Sequence, residues 1–346
     1  MISLVVVNYR SAALAADAIR SARASTRTAL HVVVVDNSCD AAEARALQPH
    51  ADFLLAAATN LGYAGAINAA RPHCRGEIVI LANPDVIFFD GAIGRLADAL
   101  ADPAIAVAGP ALYWDNALEW ILPPSEPHTL RGKVDEILAS RSNLWRSLRS
   151  RRRLRRRLAF WRHRKTTPVP AISGAVMAIR LRDFDAAGGF DERFALYFEE
   201  TDFLRRVTKL GRRIVYVPAA KCRHLYNQSA GADTARAASL FLASEAVYFG
   251  KWYGTGTYRA LKALERMPPI ESWESCPDPL DLPEPGLVVE ASPLATFDPA
   301  AGFFPPSTGV RLPGEVWEAY RGDVLYLRAV DPASARVVLT CVRYRT

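Results

Sequence analysis

The sequence lacks the features that mark membrane, secreted and disulfide-stapled proteins. No apolar run approaches the ~18 to 20 residues that a helix needs to cross a bilayer. Met1 leads directly into an apolar run, without the basic start and small-residue cleavage site of a secretory signal. The five cysteines are odd in number and scattered, which argues against a disulfide framework or a zinc ribbon. We therefore expect a cytoplasmic protein with free thiols.

The composition is otherwise that of an ordinary globular protein. Half of the 346 residues are apolar, 10% are aromatic and 23% are charged, so there is enough apolar material for a buried core. This composition excludes an intrinsically disordered chain. The length predicts one large domain or a catalytic domain with an appendage.

The positive charge is concentrated in one segment. The formal net charge is +7, but Arg146–Lys165 holds eleven of the 43 basic residues and no acidic residue, so the rest of the chain is mildly acidic. Any partner attracted by this charge should be anionic and should bind at this segment. Leucines and Trp161 share one arc of its helical wheel, which suits an interfacial helix on anionic lipid headgroups. A solvated loop is the alternative, and specific nucleic-acid recognition is not expected.

Short β-branched runs alternate with helical stretches from residue 1 to about residue 110. This order predicts a doubly wound α/β fold, with a mostly parallel sheet and flanking helices. The predicted strands are Ile2–Val7, His31–Val35, Phe53–Ala56 and Ile78–Ala82, and the predicted helices are Ala12–Ala24, Asp40–Leu47, Ala64–Ala70 and Gly91–Leu100.

Polar residues follow each of these predicted strands. They are Asn8-Tyr9-Arg10, Asp36-Asn37-Ser38, Asn60-Leu61-Gly62-Tyr63 and Asn83-Pro84-Asp85. Each group alone could serve as a helix cap or a turn. Because ligands bind at the carboxyl ends of parallel strands, the four groups together predict a binding site at this edge of the sheet.

A second group of candidate residues follows Pro168. Glu199, Glu200 and Asp202 come after two aromatic residues at the predicted start of a helix. The helix dipole alone favours acids there, but carboxylates beside buried aromatic rings are also candidate general bases. His224 follows a short predicted strand, and both a structural role and a metal or phosphate role are open for it.

The C-terminal part of the chain has a different composition. Segment 267–286 is rich in proline and acids, which predicts a stiff linker. Short strand-like runs between Pro and Gly turns then predict a small β-rich module over residues 287–346. The remainder, residues 1–266, would be the catalytic domain, with the Arg-rich insertion at about 141–167.

Five motifs, taken in order, resemble those of family 2 glycosyltransferases, especially the bacterial rhamnosyltransferase type. The resemblance covers roughly residues 1–250 and implies a GT-A fold, a nucleotide-sugar donor, a divalent metal and inversion at the anomeric carbon. The motifs are Val-Asn-Tyr-Arg, Val-Asp-Asn-Ser, Asn-Leu-Gly-Tyr-Ala-Gly-Ala-Ile-Asn, Asn-Pro-Asp and Gly-Gly-Phe-Asp-Glu-Arg-Phe-Ala-Leu-Tyr-Phe-Glu-Glu-Thr-Asp.

For the nucleotide, the resemblance implies contacts along the ends of the first strands. Asp36 would recognise the base or the ribose, since a carboxylate accepts hydrogen bonds from a ring imide or a hydroxyl. The other residues implied beside the nucleotide are Asn8, Tyr9, Arg10, Asn60, Gly62, Gly65, Asn68 and Asn83.

For the metal and the base, the resemblance implies a smaller set. Asn83-Pro84-Asp85 stands where the family has its Asp-x-Asp motif, so Asp85 would be the main ligand of Mg²⁺ or Mn²⁺. His224 matches a histidine that approaches the metal and the diphosphate. Glu200 is the first candidate for the base that deprotonates the acceptor hydroxyl, and Glu199 and Asp202 are the alternatives.

The expected function is metal-dependent, inverting transfer of a sugar, with rhamnose as the expected sugar. The donor would be a dTDP- or UDP-sugar, and the acceptor a glycan or lipid-linked acceptor in bacterial surface polysaccharide synthesis. The enzyme would be cytoplasmic and peripheral at the inner face of the cytoplasmic membrane. Two alternatives stay open: a sugar nucleotidyltransferase, and a non-catalytic glycan-binding or scaffold protein that retains the fold.

Overall fold

The computed structural model describes residues 1–225, 234–266, 273–297, 299–319 and 322–345, and its main feature is a nine-stranded mixed sheet. The strands of this sheet are β1 (Ile2–Asn8), β2 (Leu30–Asp36), β3 (Phe53–Ala56), β4 (Ile78–Ala82), β5 (Val86–Phe88), β6 (Ile105–Tyr113), β7 (Thr167–Pro168), β8 (Val176–Arg180) and β9 (Arg213–His224). The helices around it are α1 (Ala12–Ala24), α2 (Ala41–Leu47), α3 (Gly62–Ala70), α4 (Ala92–Ala99), α5 (Leu130–Arg141), α6 (Asn143–Trp161), α7 (Leu181–Ala186), α8 (Glu199–Lys209), α9 (Thr234–Tyr253) and α10 (Thr255–Leu264).

One half of the sheet is parallel and the other half is mixed. The strand order is β3-β2-β1-β4-β8-β6-β9-β5, with β7 paired to β9, and the first four strands in this order run parallel. Strand β8 runs antiparallel between β4 and β6, so its beginning lies beside the end of β4. The predicted α/β class is confirmed, and the four predicted N-terminal strands are all present.

The parallel strands are buried on both faces because helices cover both. Every residue of β1 is buried. Leu4 belongs to the same apolar cluster as Ile19 of α1, whereas its neighbour Val5 belongs to a second cluster with Ile67 of α3. Burial on both sides explains why these strands appear in the sequence as continuous β-branched runs.

A small antiparallel module follows, as the sequence predicts. Its four-stranded sheet has the order β12-β11-β14-β15, and a two-stranded ribbon pairs β10 with β13. The elements of the module are β10 (Leu280–Asp281), β11 (Val288–Ser292), β12 (Ala301–Phe303), β13 (Gly309–Val310), α11 (Gly314–Ala319), β14 (Val324–Asp331) and β15 (Arg336–Tyr344).

The predicted linker is wrong for the part that the structure describes. Residues 267–272 lie outside the described residues. Further along, Leu280 pairs with Val310, and both Leu280 and Leu282 are buried in the main apolar cluster. The leucines between the prolines therefore fold this stretch into the module, although proline content alone predicts a spacer.

The Arg-rich segment is a helix, α6, which packs against the C-terminal module. Leu154, Leu158 and Trp161 are buried in one apolar cluster with Val288 of β11 and Val330 of β14. They are three of the five apolar residues on one arc of the helical wheel, and the other two, Leu144 and Leu148, are exposed. The alternative of a solvated loop is therefore wrong for this face of the segment.

A buried ion-pair triad joins α6 to the module. Arg157 Nε lies 2.7 Å from Glu290 Oε1, and Arg328 donates to the other carboxylate oxygen of Glu290. Arg157 Nη1 also donates to the carbonyl oxygen of Phe297, at 2.6 Å. Burial lowers the pKa of the Arg157 guanidinium to about 10, despite the carboxylate beside it. Glu290 thus neutralises one of two cations that are both removed from water.

We expect Glu290→Gln to destabilise the folded protein by about 3 to 5 kcal/mol, because it leaves two buried guanidinium groups without a counter-charge. Urea unfolding followed by tryptophan fluorescence would measure the shift in midpoint. Glu284→Gln changes an exposed acid of the same module and should leave the midpoint nearly unchanged. Equal shifts for the two variants would contradict the assigned role of Glu290.

Candidate active site

The polar strand ends and the acidic helix meet at one edge of the sheet. The turn after β4 is joined to the beginning of β8, since Asn83 N donates to the carbonyl oxygen of Ala175 at 2.9 Å. Gly174, the residue before Ala175, touches the first turn of α8: a Cβ added to it would lie 3.2 Å from Glu200 Cγ. The Asn83-Pro84-Asp85 turn and Glu200 therefore face the same short loop, although they are far apart in the chain.

The buried side chain of Asn8 forms several of the hydrogen bonds that hold this edge together. Its Nδ2 donates to Asp36 Oδ1 and to Glu43 Oε2, each at 2.9 Å, and its Oδ1 accepts from the hydroxyl of Ser11. Asn8 and Asp36 are both buried. This differs from the sequence expectation: Asn8 has no exposed surface for a nucleotide, and its side chain orients Asp36 instead.

Two further residues belong to this network. Glu43 Oε2 accepts from the backbone N–H of Ala12 at the start of α1, and Ser38 Oγ accepts from the backbone N–H of Arg10. Glu43 was not among the sequence candidates, whereas Ser38 was named in the polar group after the second strand. Tyr9 and Arg10 keep exposed surface, and the Arg10 guanidinium lies 5.5 Å from the centre of the Tyr9 ring.

The loop before α3 is held by amide hydrogen bonds. Asn60 Oδ1 accepts from the N–H of Gly62 at 2.8 Å, and Asn37 Nδ2 donates to the Gly62 carbonyl oxygen at 2.9 Å. Gly62 has φ of +70°, and a Cβ there would lie 3.0 Å from the carbonyl oxygen of Ala195. Glycine is required at this position because the loop touches the segment that leads into α8. A Cβ at Gly65, within α3, would meet only ordinary contacts.

Asn68 has a structural role that the sequence did not predict. Its amide donates to the Phe190 carbonyl oxygen at 2.8 Å, and its Oδ1 accepts from the Phe190 N–H at 2.9 Å. Glu192 accepts from the same amide. Gly189 has φ of +65°, and a Cβ there would lie 2.7 Å from Asn68 Oδ1. Asn68 thus holds the Gly-Gly-Phe-Asp-Glu turn, so its expected position beside the nucleotide is corrected.

Asp85 and His224 are neighbours, as the sequence expectation requires. Strands β5 and β9 pair with Val86 opposite His224, and this brings His224 Nε2 to 3.4 Å from Asp85 Oδ1. The described residues contain no group of three or more His, Cys, Asp or Glu side chains suited to a metal. One carboxylate and one imidazole nevertheless fit Mn²⁺ or Mg²⁺, provided that substrate oxygens and water complete the shell.

Glu199, which is buried, and Glu200, which is half-buried, form an acidic pair at the first turn of α8. Burial, and for Glu199 also the charge of Glu200, raises the pKa of both carboxyl groups above the ordinary value. Glu199 Oε2 is buried and has no hydrogen-bond partner among the described residues. The pair can therefore retain a proton at a pH where an exposed glutamate has lost it.

Asp202 lies in a different environment from the other two acids. It is fully buried, and Lys251 Nζ and Arg206 Nε lie 2.7 and 2.8 Å from its carboxylate oxygens. Trp252 Nε1 donates to it at 2.8 Å. Two cations and an indole N–H occupy its oxygens, so Asp202 anchors α8 to α9 and is poorly placed to contact an acceptor hydroxyl.

The backbone just before α8 is strained. Tyr197 and Phe198 have φ of +71° and +68°, which L-residues with large side chains rarely adopt. Phe198 is held by rings on both sides, with the His128 centroid at 4.4 Å and the Tyr248 centroid at 5.4 Å. Such strain costs on the order of 1 to 3 kcal/mol per residue and is found where a structure must aim catalytic groups.

Tyr63, a residue that the candidate set omitted, connects the two halves of the site. Its hydroxyl is buried without a hydrogen-bond partner among the described residues. Burial and the charges of Glu199, Glu200 and Asp85 together raise the pKa of Tyr63 well above its ordinary value. All three acids are thus close enough to act on one hydroxyl. Asp85 and the acidic pair therefore both lie within electrostatic range of the Tyr63 hydroxyl.

The candidate site thus combines an acid after β4 with a carboxylate pair at the first turn of α8, at one edge of a mixed sheet that has a parallel half. The sequence match gives the family: residues 1–240 match the family described as Glycosyltransferase like family 2, and the chain belongs to it. Two curated relatives carry the name N-acetylglucosaminyl-diphospho-decaprenol L-rhamnosyltransferase, from Mycobacterium tuberculosis strains CDC 1551 / Oshkosh and ATCC 25618 / H37Rv. Each is 30% identical over 227 residues, which cover 61% of this chain and 71% of the relative.

Two solved structures resemble this chain at 16% identity. The mannosyltransferase PcManGT from Pyrobaculum calidifontis, in complex with GDP-Man and Mn²⁺, has a TM-score of 0.47 over 76% of this chain and 74% of that one. Residues 1–349 of TarS from S. aureus have a TM-score of 0.43, over 64% and 60% of the two chains. Family membership rests on the sequence match.

We expect Glu199→Gln to make the protein more stable than the wild type as the pH rises. When folding raises a carboxyl pKa, the stabilisation is complete below the ordinary value and is lost as the pH rises through the folded value. Glutamine does not titrate, so the difference in free energy of unfolding between the variant and the wild type should grow between about pH 5 and pH 8. Urea unfolding at several pH values in this range would measure this difference. Glu77→Gln changes an exposed glutamate and is the control. A difference that does not depend on pH would contradict the raised pKa.

Proposed function

We propose that the protein is a metal-dependent, inverting glycosyltransferase that moves rhamnose from a nucleotide-sugar donor, dTDP- or UDP-linked, to a glycan or lipid-linked acceptor in bacterial surface polysaccharide synthesis. The observation that carries the proposal is that the Asp85–His224 pair and Glu200 meet at one short loop: Asn83 donates to Ala175, and the neighbouring Gly174 lies against Glu200. The printed name of the curated relatives supports rhamnose as the sugar and a lipid-linked acceptor.

In the proposed reaction, an acceptor hydroxyl attacks the anomeric carbon while the bond to the nucleoside diphosphate breaks. Glu200 takes the proton of that hydroxyl, and its raised pKa makes it a stronger base near neutral pH than an exposed glutamate. One direct displacement without a covalent sugar–enzyme bond inverts the anomeric carbon.

Asp85 and His224 would hold the divalent ion in this reaction. A bound ion neutralises charge on the departing diphosphate. Asp36, held by Asn8, would accept hydrogen bonds from the nucleoside, and Tyr9 and Arg10 would cover it from the exposed side. The Tyr63 hydroxyl, which lacks a partner among the described residues, would donate to an oxygen of the substrate.

The alternatives are less well supported. A sugar nucleotidyltransferase needs a Gly-rich phosphate loop after the first strand, and here Asn8 and Ser11 form a hydrogen-bonded turn instead. A scaffold protein has no need for a buried acidic pair, which is unfavourable for stability. Release of nucleoside diphosphate from a sugar donor distinguishes both alternatives from a glycosyltransferase.

We also propose the expected contact with the membrane through Arg146–Lys165, restricted to the exposed side of α6. One face of α6 is committed to the C-terminal module, so contact with anionic lipid would use the exposed side, with Arg152, Arg155, Arg156 and Leu148. Among the described residues, no helix is both long and apolar enough to span a bilayer. A cytoplasmic location at the inner face of the membrane is part of the same proposal.

We expect Glu200→Gln to lower kcat by about 10² to 10⁴-fold, because the variant cannot take the proton of the acceptor hydroxyl. The assay is release of dTDP or UDP from the donor in the presence of an acceptor extract. Glu77→Gln, an exposed change of the same kind, should retain the wild-type rate. A Glu200→Gln enzyme of undiminished rate would remove this residue from the mechanism.

We expect Asp85→Asn to weaken Mn²⁺ binding measured by calorimetry in the presence of nucleoside diphosphate, and to abolish transfer. The loss follows from replacing an anionic oxygen ligand by a neutral amide in a site with few protein ligands. Asp90→Asn, in an exposed position shortly after β5, is the matched control. Unchanged Mn²⁺ affinity in Asp85→Asn would overturn the metal assignment without bearing on Glu200.

A further inference from the structure

A large cationic cavity lies away from the proposed donor site. It has a volume of about 1470 Å³ and lies between the α5–α6 hairpin, the end of α10 and the C-terminal module. Nine of its lining residues are Arg or Lys and two are Glu. No residue from the ends of β1, β2 or β4 lines it, so it is separate from the edge where the donor would bind.

Several of these cations lack a counter-charge. No carboxylate of the described residues lies within ion-pair distance of Arg146, Arg151, Arg266 or Arg336, which all line the cavity. Arg151 donates to the Ser334 carbonyl oxygen and Arg146 to that of Ala139, so backbone contacts hold both. Like charges gathered around one concave surface create a strong positive potential, which favours a multivalent anion.

The inner wall of the cavity is rigid. The Arg328 guanidinium lies 4.2 Å from the centre of the Phe297 ring, its Nη1 donates to Ser150 Oγ at 3.2 Å, and its Nε donates to Glu290. Arg328 Nη2 is buried and has no hydrogen-bond partner among the described residues. Arg157, which is only 4% exposed, completes this wall. A guanidinium fixed on three sides loses little entropy when it binds an anion.

We propose that this cavity binds a ligand with clustered phosphate groups. The planar fork of arginine matches phosphate oxygens in pairs, and each such bond is charge-assisted. A phosphate carries up to two negative charges in a compact group, which suits the four lining arginines that have no ion-pair partner among the described residues. The volume exceeds that of most small-ligand pockets, so a diphosphate or polyphosphate fits better than a single phosphate. The inference does not rest on the proposed glycosyl transfer.

The test is calorimetric titration of the full chain with tripolyphosphate, at constant ionic strength and with a chelator that keeps metal from the donor site. We expect saturable binding, with an affinity about 10 to 100-fold lower in the Arg151→Glu/Arg336→Glu variant. Both residues are exposed at the rim, so the variant should fold, and its melting temperature checks this. Arg27→Glu/Arg259→Glu makes the same charge change at exposed residues that do not line the cavity, and it should bind as the wild type does.

Absence of saturable binding, or equal losses in the two variants, would overturn the proposal. Flotation with phosphatidylcholine vesicles that contain phosphatidic acid identifies the source of the phosphate. If tripolyphosphate releases the protein and Arg151→Glu/Arg336→Glu fails to float, the cavity takes a lipid headgroup. If flotation is unaffected while tripolyphosphate binding is lost, the ligand is a soluble phosphate. Cavity-dependent binding of single-stranded DNA without tripolyphosphate binding would mean a different ligand class and would overturn the proposal.

Discussion

The site depends on keeping two carboxylates, Glu199 and Glu200, side by side where water reaches them poorly. Burial and mutual repulsion both oppose ionisation, so the pair reduces the stability of the fold near neutral pH. The first turn of α8 offsets part of this cost, because the N-terminal end of a helix favours negative charge. The remainder must come from contacts that hold α8 and the turn before it in place.

Those contacts come from residues without a chemical role in the reaction. Asp202 ties α8 to α9 through Lys251 and Trp252, in a buried ion pair with an added hydrogen bond. Phe198 keeps its left-handed backbone because aromatic rings enclose it. Gly174 lies against Glu200, since a Cβ at this position would come within 3.2 Å of Glu200 Cγ. The third acid of the motif thus serves to position α8, whereas no cation among the described residues forms an ion pair with the first two.

The sequence was sufficient to predict the parallel half of the sheet and the group of residues that meet at its edge. Continuous β-branched runs and polar strand ends are local signals, and both describe a two-sided sheet with ligands at one edge. Asn8 and Asn68 illustrate what could not be predicted. Their partners lie 28 and 122 positions away, and a single asparagine looks the same whether it contacts a ligand or a distant backbone. Arg157 likewise gives no local sign that its partner is the buried Glu290.

Helix α5 relates the proposed active site to the cationic cavity. The His128 ring, just before α5, packs on Phe198 at the start of the acidic helix. One turn into α5, Lys133 is buried between Glu245 and Glu265, at 2.8 Å from each. The last turns of the same helix, with Glu136, line the cavity. A path of packed side chains therefore leads from the cavity to the ring beside the acidic helix, through one helix that is fixed by buried ion pairs.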